Sequence, residues 1–188
     1  VDLHANQIQG FFDIPVDNLY AEPVLSQHFM EFGWEDLALV SPDVGNTKRA
    51  RRYAQRLGGE LAIVDKRRVS GDEVEHGRII GEVKGKTVLM MDDMISTAGT
   101  LCSAAQCCRD AGAKEVFVGA THAVLCGRAI ENLKNAPIDR IVVTDTVPVS
   151  DDKLGAIGKV TVLTISQMVG EAIHRIHSNE SVSSLFHM

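Results

Sequence analysis

Residues 88–100 read VLMMDDMISTAGT, an apolar run followed by two carboxylates and a turn rich in hydroxyls that leads into a helical pattern. The apolar run predicts a buried strand. A turn between a strand and a helix brings backbone N–H groups and the positive helix end together, which favours a phosphate. Carboxylates accept hydrogen bonds, so Asp92 and Asp93 suit sugar hydroxyls or a hydrated Mg²⁺. The turn alone would fit an ordinary helix cap, but the whole segment indicates a sugar-phosphate site.

Strand and helix patterns alternate on both sides of this segment. Apolar, β-branched runs predict strands at 37–40, 61–64, 87–91, 115–120, 140–144 and 160–164. Amphipathic stretches predict helices at 47–57, 100–111, 128–135 and 166–176. This alternation is typical of a parallel sheet flanked by helices on both faces. We therefore predict one α/β domain whose ligands bind beyond the carboxyl ends of the strands.

The composition is typical of a globular protein and excludes several classes of protein. A chain of 188 residues with 45% hydrophobic and 23% charged residues can bury one core and is not disordered. A net charge of −6 argues against a nucleic-acid partner bound through a basic face. No apolar stretch approaches the length of a membrane span, and no signal-like segment opens the chain. We expect a cytoplasmic protein without a membrane partner.

The cysteines fit that location. Cys102, Cys107, Cys108 and Cys126 form no C-x-x-C pattern, so a zinc site has little support. Three of them lie in the predicted helix at 100–111, where small buried side chains are expected. We predict that all four are reduced and structural.

Residues 88–100 resemble the phosphoribosyl-diphosphate motif of the phosphoribosyltransferase superfamily, and further segments narrow the resemblance. These are VDLHA at 1–5, QIQGFFDIPVDNLY at 7–20, SPDVG at 41–45, DKRR at 65–68 and ESVSSLF at 180–186. In this order they resemble the ribose-phosphate pyrophosphokinase (phosphoribosyl-diphosphate synthetase) family and cover nearly the whole chain. Several separated motifs are much more specific than one. The resemblance implies a type I phosphoribosyltransferase-like fold.

Members of that family transfer the β,γ-diphosphoryl group of ATP to the C1 hydroxyl of ribose 5-phosphate and release AMP, for nucleotide biosynthesis. The resemblance thus implies ATP and ribose 5-phosphate as substrates, Mg²⁺ as cofactor, and a dimer-based homo-oligomer such as a hexamer. It also implies that residues 1–20 end a preceding N-terminal domain and that residues 21–188 form the C-terminal domain with the ribose 5-phosphate site. We expect such a fragment to bind the sugar phosphate but to turn over weakly or not at all.

The resemblance assigns the sugar-phosphate contacts to the segment at 88–100. Asp92 and Asp93 would hold the ribose hydroxyls. Backbone amides and hydroxyls would hold the 5-phosphate along Ser96, Thr97, Ala98, Gly99 and Thr100. Family members often carry an acid where this chain has Ser96, but a hydroxyl remains, and we expect the phosphate site to persist.

Lys66 and Arg68 are the catalytic residues that the resemblance implies. Lys66 directly precedes, and Arg68 lies within, a charged, glycine-containing segment at 67–77, which is a candidate mobile lid. Its closure would bring two cations onto the ATP phosphates and exclude water. Without the resemblance, a Lys-Arg-Arg run would more often be a solvated charge cluster.

The resemblance implies metal ligands and an ATP contact elsewhere in the chain. In the Asp-x-His pattern of the family, His4 meets the ATP phosphates and Asp2 meets metal. Asp43 would join the metal or ribose contacts, although an Asp between Pro42 and Gly45 also fits an ordinary turn. The predicted metal ligands are therefore Asp2, His4 and Asp43.

Two other functions compete with a catalytic synthetase. A catalytically silent, synthetase-associated regulatory subunit should have lost the cations at 66 and 68 or the acidic pair, and this chain retains them. A phosphoribosyltransferase would share the sugar-phosphate turn but lack the segments at 1–5 and 180–186. We predict the catalytic synthetase and keep the regulatory subunit as the alternative.

Overall fold

The computed structural model describes residues 1–65 and 78–186. Its strands are β1 (Leu37–Ser41), β2 (Glu60–Asp65), β3 (Arg78–Ile80), β4 (Thr87–Met94), β5 (Glu115–His122), β6 (Arg140–Thr144) and β7 (Val160–Leu163). The α-helices are α1 (Glu22–Met30), α2 (Thr47–Leu57), α3 (Gly99–Asp110), α4 (Ala129–Asn135), α5 (Asp151–Ile157) and α6 (Ser166–His177). Short 3₁₀ helices occupy Asn6–Phe11 and Ser183–Phe186.

The strands form one sheet in the order β3-β2-β1-β4-β5-β6-β7. Neighbouring strands are parallel except for β2 and β3, which are antiparallel. β4 lies at the centre, between β1 and β5. The predicted α/β fold with a parallel sheet is confirmed.

The core occupies both faces of the sheet, as β4 illustrates. Val88 and Met90 pack with α3 and α4 on one face, whereas Leu89 and Met91 pack with α1, α2 and α6 on the other. Each of these four side chains is at most 1% exposed. Because successive side chains of a strand point to opposite faces, a strand covered on both must be apolar throughout. This requirement explains the unbroken apolar run at 88–91.

All six predicted strands are present, and the helix predicted at 47–57 has the bounds of α2. β1 is longer than predicted by one residue at one end and β2 by one residue at each end, and β4 and β5 extend furthest, to Met94 and His122, because their ladder continues through that pair. Asp92 and Asp93 therefore belong to the end of the strand rather than to the turn after it. The charged segment predicted as a lid lies outside the described residues.

Free cysteines were predicted, and all four are free. Cys107 and Cys108 are buried in α3, Cys102 is half-buried in the same helix, and Cys126 is exposed. In the parts of the chain that the structure covers, no helix is both long enough and apolar enough to cross a membrane.

Gly81, directly after β3, is the position at which we expect a small substitution to damage the fold. Its φ is +112°, and an added Cβ would lie 2.8 Å from Ala62 Cβ and 2.9 Å from Ala62 Cα. Neither atom can move without shifting β2. Gly81→Ala should lower the free energy of unfolding by about 2–4 kcal/mol, measured by urea denaturation.

Gly170→Ala is the control, because Gly170 lies in α6 with open space around it, and alanine should stabilise that helix by about 0.5–1 kcal/mol. Unchanged stability of Gly81→Ala would show that this turn relaxes freely.

Candidate functional site

The turn between β4 and α3 lines a cavity of about 190 Å³. The lining comprises residues 94–101 together with the side chains of Asp43 and Asp92. The five residues predicted to hold the 5-phosphate all lie in this lining. Ala98 has a left-handed backbone, with φ of +63°, and is buried, so the chain turns sharply just before α3 begins. The structure therefore brings the turn, the helix start and one carboxylate of the predicted pair together.

A second cavity of about 320 Å³ adjoins the first. Asp43, Asp92 and Met94 line both cavities. The other residues around the second cavity are His4, Gly45, Asn46, Arg49 and Asp93. The candidate site thus has two compartments, a small one at the start of α3 and a larger one between the acidic pair and the start of α2.

The acidic pair is bound to two basic side chains. Asp93 is only 6% exposed, and its Oδ2 lies 2.6 Å from His4 Nδ1. Arg49 Nη1 lies 3.2 Å from Asp93 Oδ1 and 3.3 Å from Asp92 Oδ1. A buried carboxylate needs such partners because burial alone disfavours its charged form. Arg49 joins α2 to the end of β4, and His4 joins the amino-terminal segment to the same strand.

The two carboxyl groups differ in acidity. Burial, followed by the hydrogen bond with Asp93 and the negative charge of that side chain, raises the pKa of Asp92 to about 7, against the opposing effect of Arg49. Burial would also raise the pKa of Asp93, but hydrogen bonds with Asp92 and His4 and the charge of Arg49 hold it below its usual range. Of the two, Asp93 is therefore the stronger acid, and Asp92 takes up a proton more readily. Both side chains can accept hydrogen bonds from the hydroxyl groups of a ligand.

Asp43 forms the turn between β1 and α2. Its Oδ1 accepts a hydrogen bond of 2.9 Å from the backbone of Asn46, which is the behaviour of a turn-forming Asp. The Asn46 side chain in turn donates to Met91 O at 3.0 Å and to Asp92 Oδ1 at 3.1 Å. Because Asp43 also lines both cavities, the turn role and a role in ligand binding are compatible.

Arg49 and Asn46 are site residues that the sequence prediction missed. A signal for both was present in the spacing of α2. Asn46, Arg49 and Tyr53 are three and four residues apart, so they share one face of the helix. Tyr53 is 4% exposed, which identifies that face as the buried one. Of the basic residues in α2, Arg49 is the one directed toward the acidic pair.

Asp2 lines neither cavity, whereas the other predicted metal ligands, His4 and Asp43, each line at least one of them. Its side chain is buried, and its Oδ2 accepts hydrogen bonds from Ala21 N at 2.8 Å and from Thr121 Oγ1 at 2.7 Å. His122 Nε2 lies 3.1 Å from the carbonyl of Asp2. Within residues 1–65 and 78–186, no three His, Cys, Asp or Glu side chains are grouped so that they could hold a metal ion. The metal-binding roles of Asp2, His4 and Asp43 stay predictions.

Lys66 and Arg68 lie outside the described residues, so their catalytic roles also stay predictions. The residues that flank the undescribed segment are Asp65 and Arg78, which are register partners in the β2–β3 ladder.

Comparison with known proteins identifies relatives of this chain. Residues 73–187 match the family described as the phosphoribosyl synthetase-associated domain. The chain is 54% identical over 189 residues to the ribose-phosphate pyrophosphokinase of Rhodopirellula baltica, a match that covers 99% of this chain and 59% of the relative. It is 51% identical over 186 residues to the protein of the same name from Bordetella pertussis, covering 99% and 60% of the two chains.

A solved structure agrees with these sequence matches. The fold is similar to that of the phosphoribosylpyrophosphate synthetase from Mycobacterium smegmatis, with a TM-score of 0.85 and 38% sequence identity. That match covers 95% of this chain and 57% of the solved one. The chain thus spans less than two thirds of the length of each of these proteins. The predicted resemblance to ribose-phosphate pyrophosphokinases is confirmed.

Proposed function

The chain belongs to the family of the phosphoribosyl synthetase-associated domain, and from this membership we propose that it supplies the ribose 5-phosphate site of a ribose-phosphate diphosphokinase. The proposed reaction transfers the diphosphoryl group of MgATP to the C1 hydroxyl of ribose 5-phosphate and gives phosphoribosyl diphosphate and AMP. The product serves nucleotide biosynthesis. The relatives named ribose-phosphate pyrophosphokinase support this proposal.

One observation carries the proposal, namely that the two cavities share Asp43, Asp92 and Met94. A sugar phosphate needs backbone amides for its phosphate next to acceptors for its hydroxyls. The turn at 95–98 offers the first, and the carboxylates of Asp92 and Asp93 offer the second. Ribose 5-phosphate bound in this way would direct its C1 hydroxyl away from residues 95–98, which we call the phosphate turn, and toward the larger compartment. The triphosphate of ATP would then occupy that compartment, beside His4.

The proposed chemistry needs no covalent intermediate. The C1 oxygen attacks the β-phosphorus of ATP, and the bond from that phosphorus to the oxygen shared with the α-phosphorus breaks. AMP leaves with the bridging oxygen, and the hydroxyl proton is released to the medium. Catalysis of such a step depends on aligning the two substrates and on cations near the phosphoryl oxygens. We assign that charge to Lys66 and Arg68, and we assign alignment of the sugar to Asp92 and Asp93.

Mg²⁺ fits this arrangement as the partner of ATP. It prefers oxygen ligands and is usually held by one or two carboxylates plus substrate phosphates rather than by a cage of protein ligands. Asp43 and Asp92 present carboxylates to both cavities, which suits that mode. When bound, Mg²⁺ would neutralise phosphate charge. Arg49 already holds Asp92 Oδ1 and Asp93 Oδ1, and it therefore limits the number of carboxylate oxygens that a metal could share.

We propose the remaining properties from the family alone. They are residues 21–188 as the C-terminal domain of a longer enzyme, a dimer-based homo-oligomer, and a cytoplasmic location. The free cysteines are consistent with that location.

The test is release of AMP from MgATP in the presence of ribose 5-phosphate, by a full-length protein that contains this chain. We expect AMP to appear only with the phosphorylated sugar, because the phosphate turn is needed to hold it. Unphosphorylated ribose is the matched control and should give a background rate. Binding of ribose 5-phosphate without any release of AMP would contradict the synthetase and favour the regulatory subunit.

A further inference from the structure

In the phosphate turn, the backbone carbonyls and the backbone N–H groups differ in their hydrogen bonding. The carbonyls of Ile95, Ser96 and Thr97 each accept a hydrogen bond, whereas within the described residues the N–H groups of Ser96, Thr97 and Ala98 make none. In a trans peptide the C=O and the following N–H point in opposite directions. Three carbonyls held on one side therefore direct three N–H groups to the other. These N–H groups belong to residues that line the 190 Å³ cavity.

The partners of the first two carbonyls come from the segment between β5 and α4. Leu125 N donates to Ile95 O at 2.9 Å, and Cys126 N donates to Ser96 O at 3.2 Å. Ile95 N donates in turn to His122 O at 2.9 Å. Leu125 has a left-handed backbone, with φ of +47°, which is an unusual conformation for this residue. The segment thus runs beside the phosphate turn as a backbone-to-backbone support.

The third carbonyl is held differently. Thr97 O accepts a hydrogen bond of 2.9 Å from the side-chain amide of Asn132 in α4. Residues 125 and 126 have their own partners and reach only the first two carbonyls. The peptide between Thr97 and Ala98 is therefore oriented by a side chain, and it is the peptide that carries the N–H of the left-handed residue Ala98.

We infer that Asn132 is a positioning residue for phosphate binding, an assignment that rests on the proposed function. By holding Thr97 O, its amide keeps the Ala98 N–H directed at the phosphate. Without that hydrogen bond the Thr97–Ala98 peptide can rotate, and a carbonyl turned toward the cavity repels an anion. Asn132 lines neither cavity of the site, so we assign its effect to the backbone of the turn.

The test compares binding of ribose 5-phosphate by isothermal titration calorimetry to the 188-residue chain and its variants. Asn132→Asp replaces the donor with an acceptor, and Asn132→Leu removes it at similar volume. One hydrogen bond of this kind is worth roughly a three- to tenfold change in affinity, so Kd should rise by about that factor in both variants. Asn135→Asp and Asn135→Leu are the matched controls on the exposed end of the same helix and should bind like the parent.

Stability and kinetics separate this role from a purely structural one. Leucine is a better helix former than asparagine, which offsets part of the lost hydrogen bond, so Asn132→Leu should have a Tm close to that of the parent while binding more weakly. In a full-length protein with the same sequence, the KM for ribose 5-phosphate should rise, while kcat and the KM for ATP stay within about twofold.

The outcomes distinguish this inference from the proposed function. Equal affinity of the parent and both Asn132 variants would overturn the positioning role and leave the proposed function in place. Failure of the parent chain to bind ribose 5-phosphate would overturn the proposed site and the positioning role with it. Equal losses in the Asn132 and Asn135 variants would assign the effect to α4 as a whole and would also overturn the inference.

Discussion

An Asp93→Ala variant should bind ribose 5-phosphate roughly a hundredfold more weakly than the parent chain. Hydrogen bonds to a charged group contribute about 1.5–3 kcal/mol each, and a loss near 2.7 kcal/mol corresponds to a hundredfold change in Kd. Asp93 also orients its neighbours, because its two oxygens hold Arg49 and His4. Without it, Arg49 keeps only Asp92 as a partner in the pair and draws that carboxylate away from the sugar.

Two further variants make the Asp93 test specific. Asp93→Asn keeps the shape and loses the charge, so its affinity should fall between those of the parent and Asp93→Ala. Asp145→Ala makes the same chemical change after another strand, β6, at a residue that lines neither cavity of the site. It should bind ribose 5-phosphate like the parent in isothermal titration calorimetry. Unchanged affinity of Asp93→Ala would remove Asp93 from the sugar site.

The second large effect is expected at Ala98, where valine and glycine should act in opposite ways. The residue has φ of +63° and is buried. A β-branched side chain strongly disfavours that conformation, so Ala98→Val should force the turn to rearrange and reduce affinity for ribose 5-phosphate by more than about tenfold. Glycine adopts a positive φ readily, so Ala98→Gly should bind within about twofold of the parent.

Ala98→Gly is the control for Ala98→Val, since both substitutions change the same position in the turn. Thermal unfolding should show a lower Tm for Ala98→Val and little change for Ala98→Gly. Affinity would be measured calorimetrically on the same samples. If valine bound as well as alanine, the left-handed turn would not be what directs the amides of the site.

The fold was largely predictable because its main signal is burial on both faces. A strand that has helices packed on both faces of the sheet must be apolar at every position, and unbroken apolar runs of this kind are visible in the sequence at 88–91 and 116–118. The missed elements lack a signal of that kind. α5 has seven residues with Gly155 inside it, and β3 has three residues held by pairing with β2. α1 has Pro23 in its first turn, and its buried face includes Ser26, so the pattern of apolar residues along the helix is interrupted.

The candidate site was predictable only in part. The turn at 95–98 and the acidic pair are contiguous in the chain, and local pattern identified both. Arg49 and Asn132 contact them from distant segments: Arg49 is 43 residues from Asp92 in the sequence, and Asn132 is 35 residues from Thr97. Such partners depend on how helices dock on the sheet. The ligand-binding role that its motif predicts for Asp2 stays a prediction, and the two hydrogen bonds that Asp2 Oδ2 accepts, from Ala21 N and Thr121 Oγ1, had no local signal in the sequence.

The central place of β4 has a thermodynamic consequence for recognition. This strand is paired on both sides, and side chains cover it above and below, so its backbone should be among the last in the chain to open. Asp92 and Asp93 belong to that strand, and they are therefore held in position before any ligand arrives. If they hold the sugar hydroxyls as proposed, capture of the sugar should require little loss of conformational entropy from these two residues. The acidic pair would then act as a preformed anchor for the ligand.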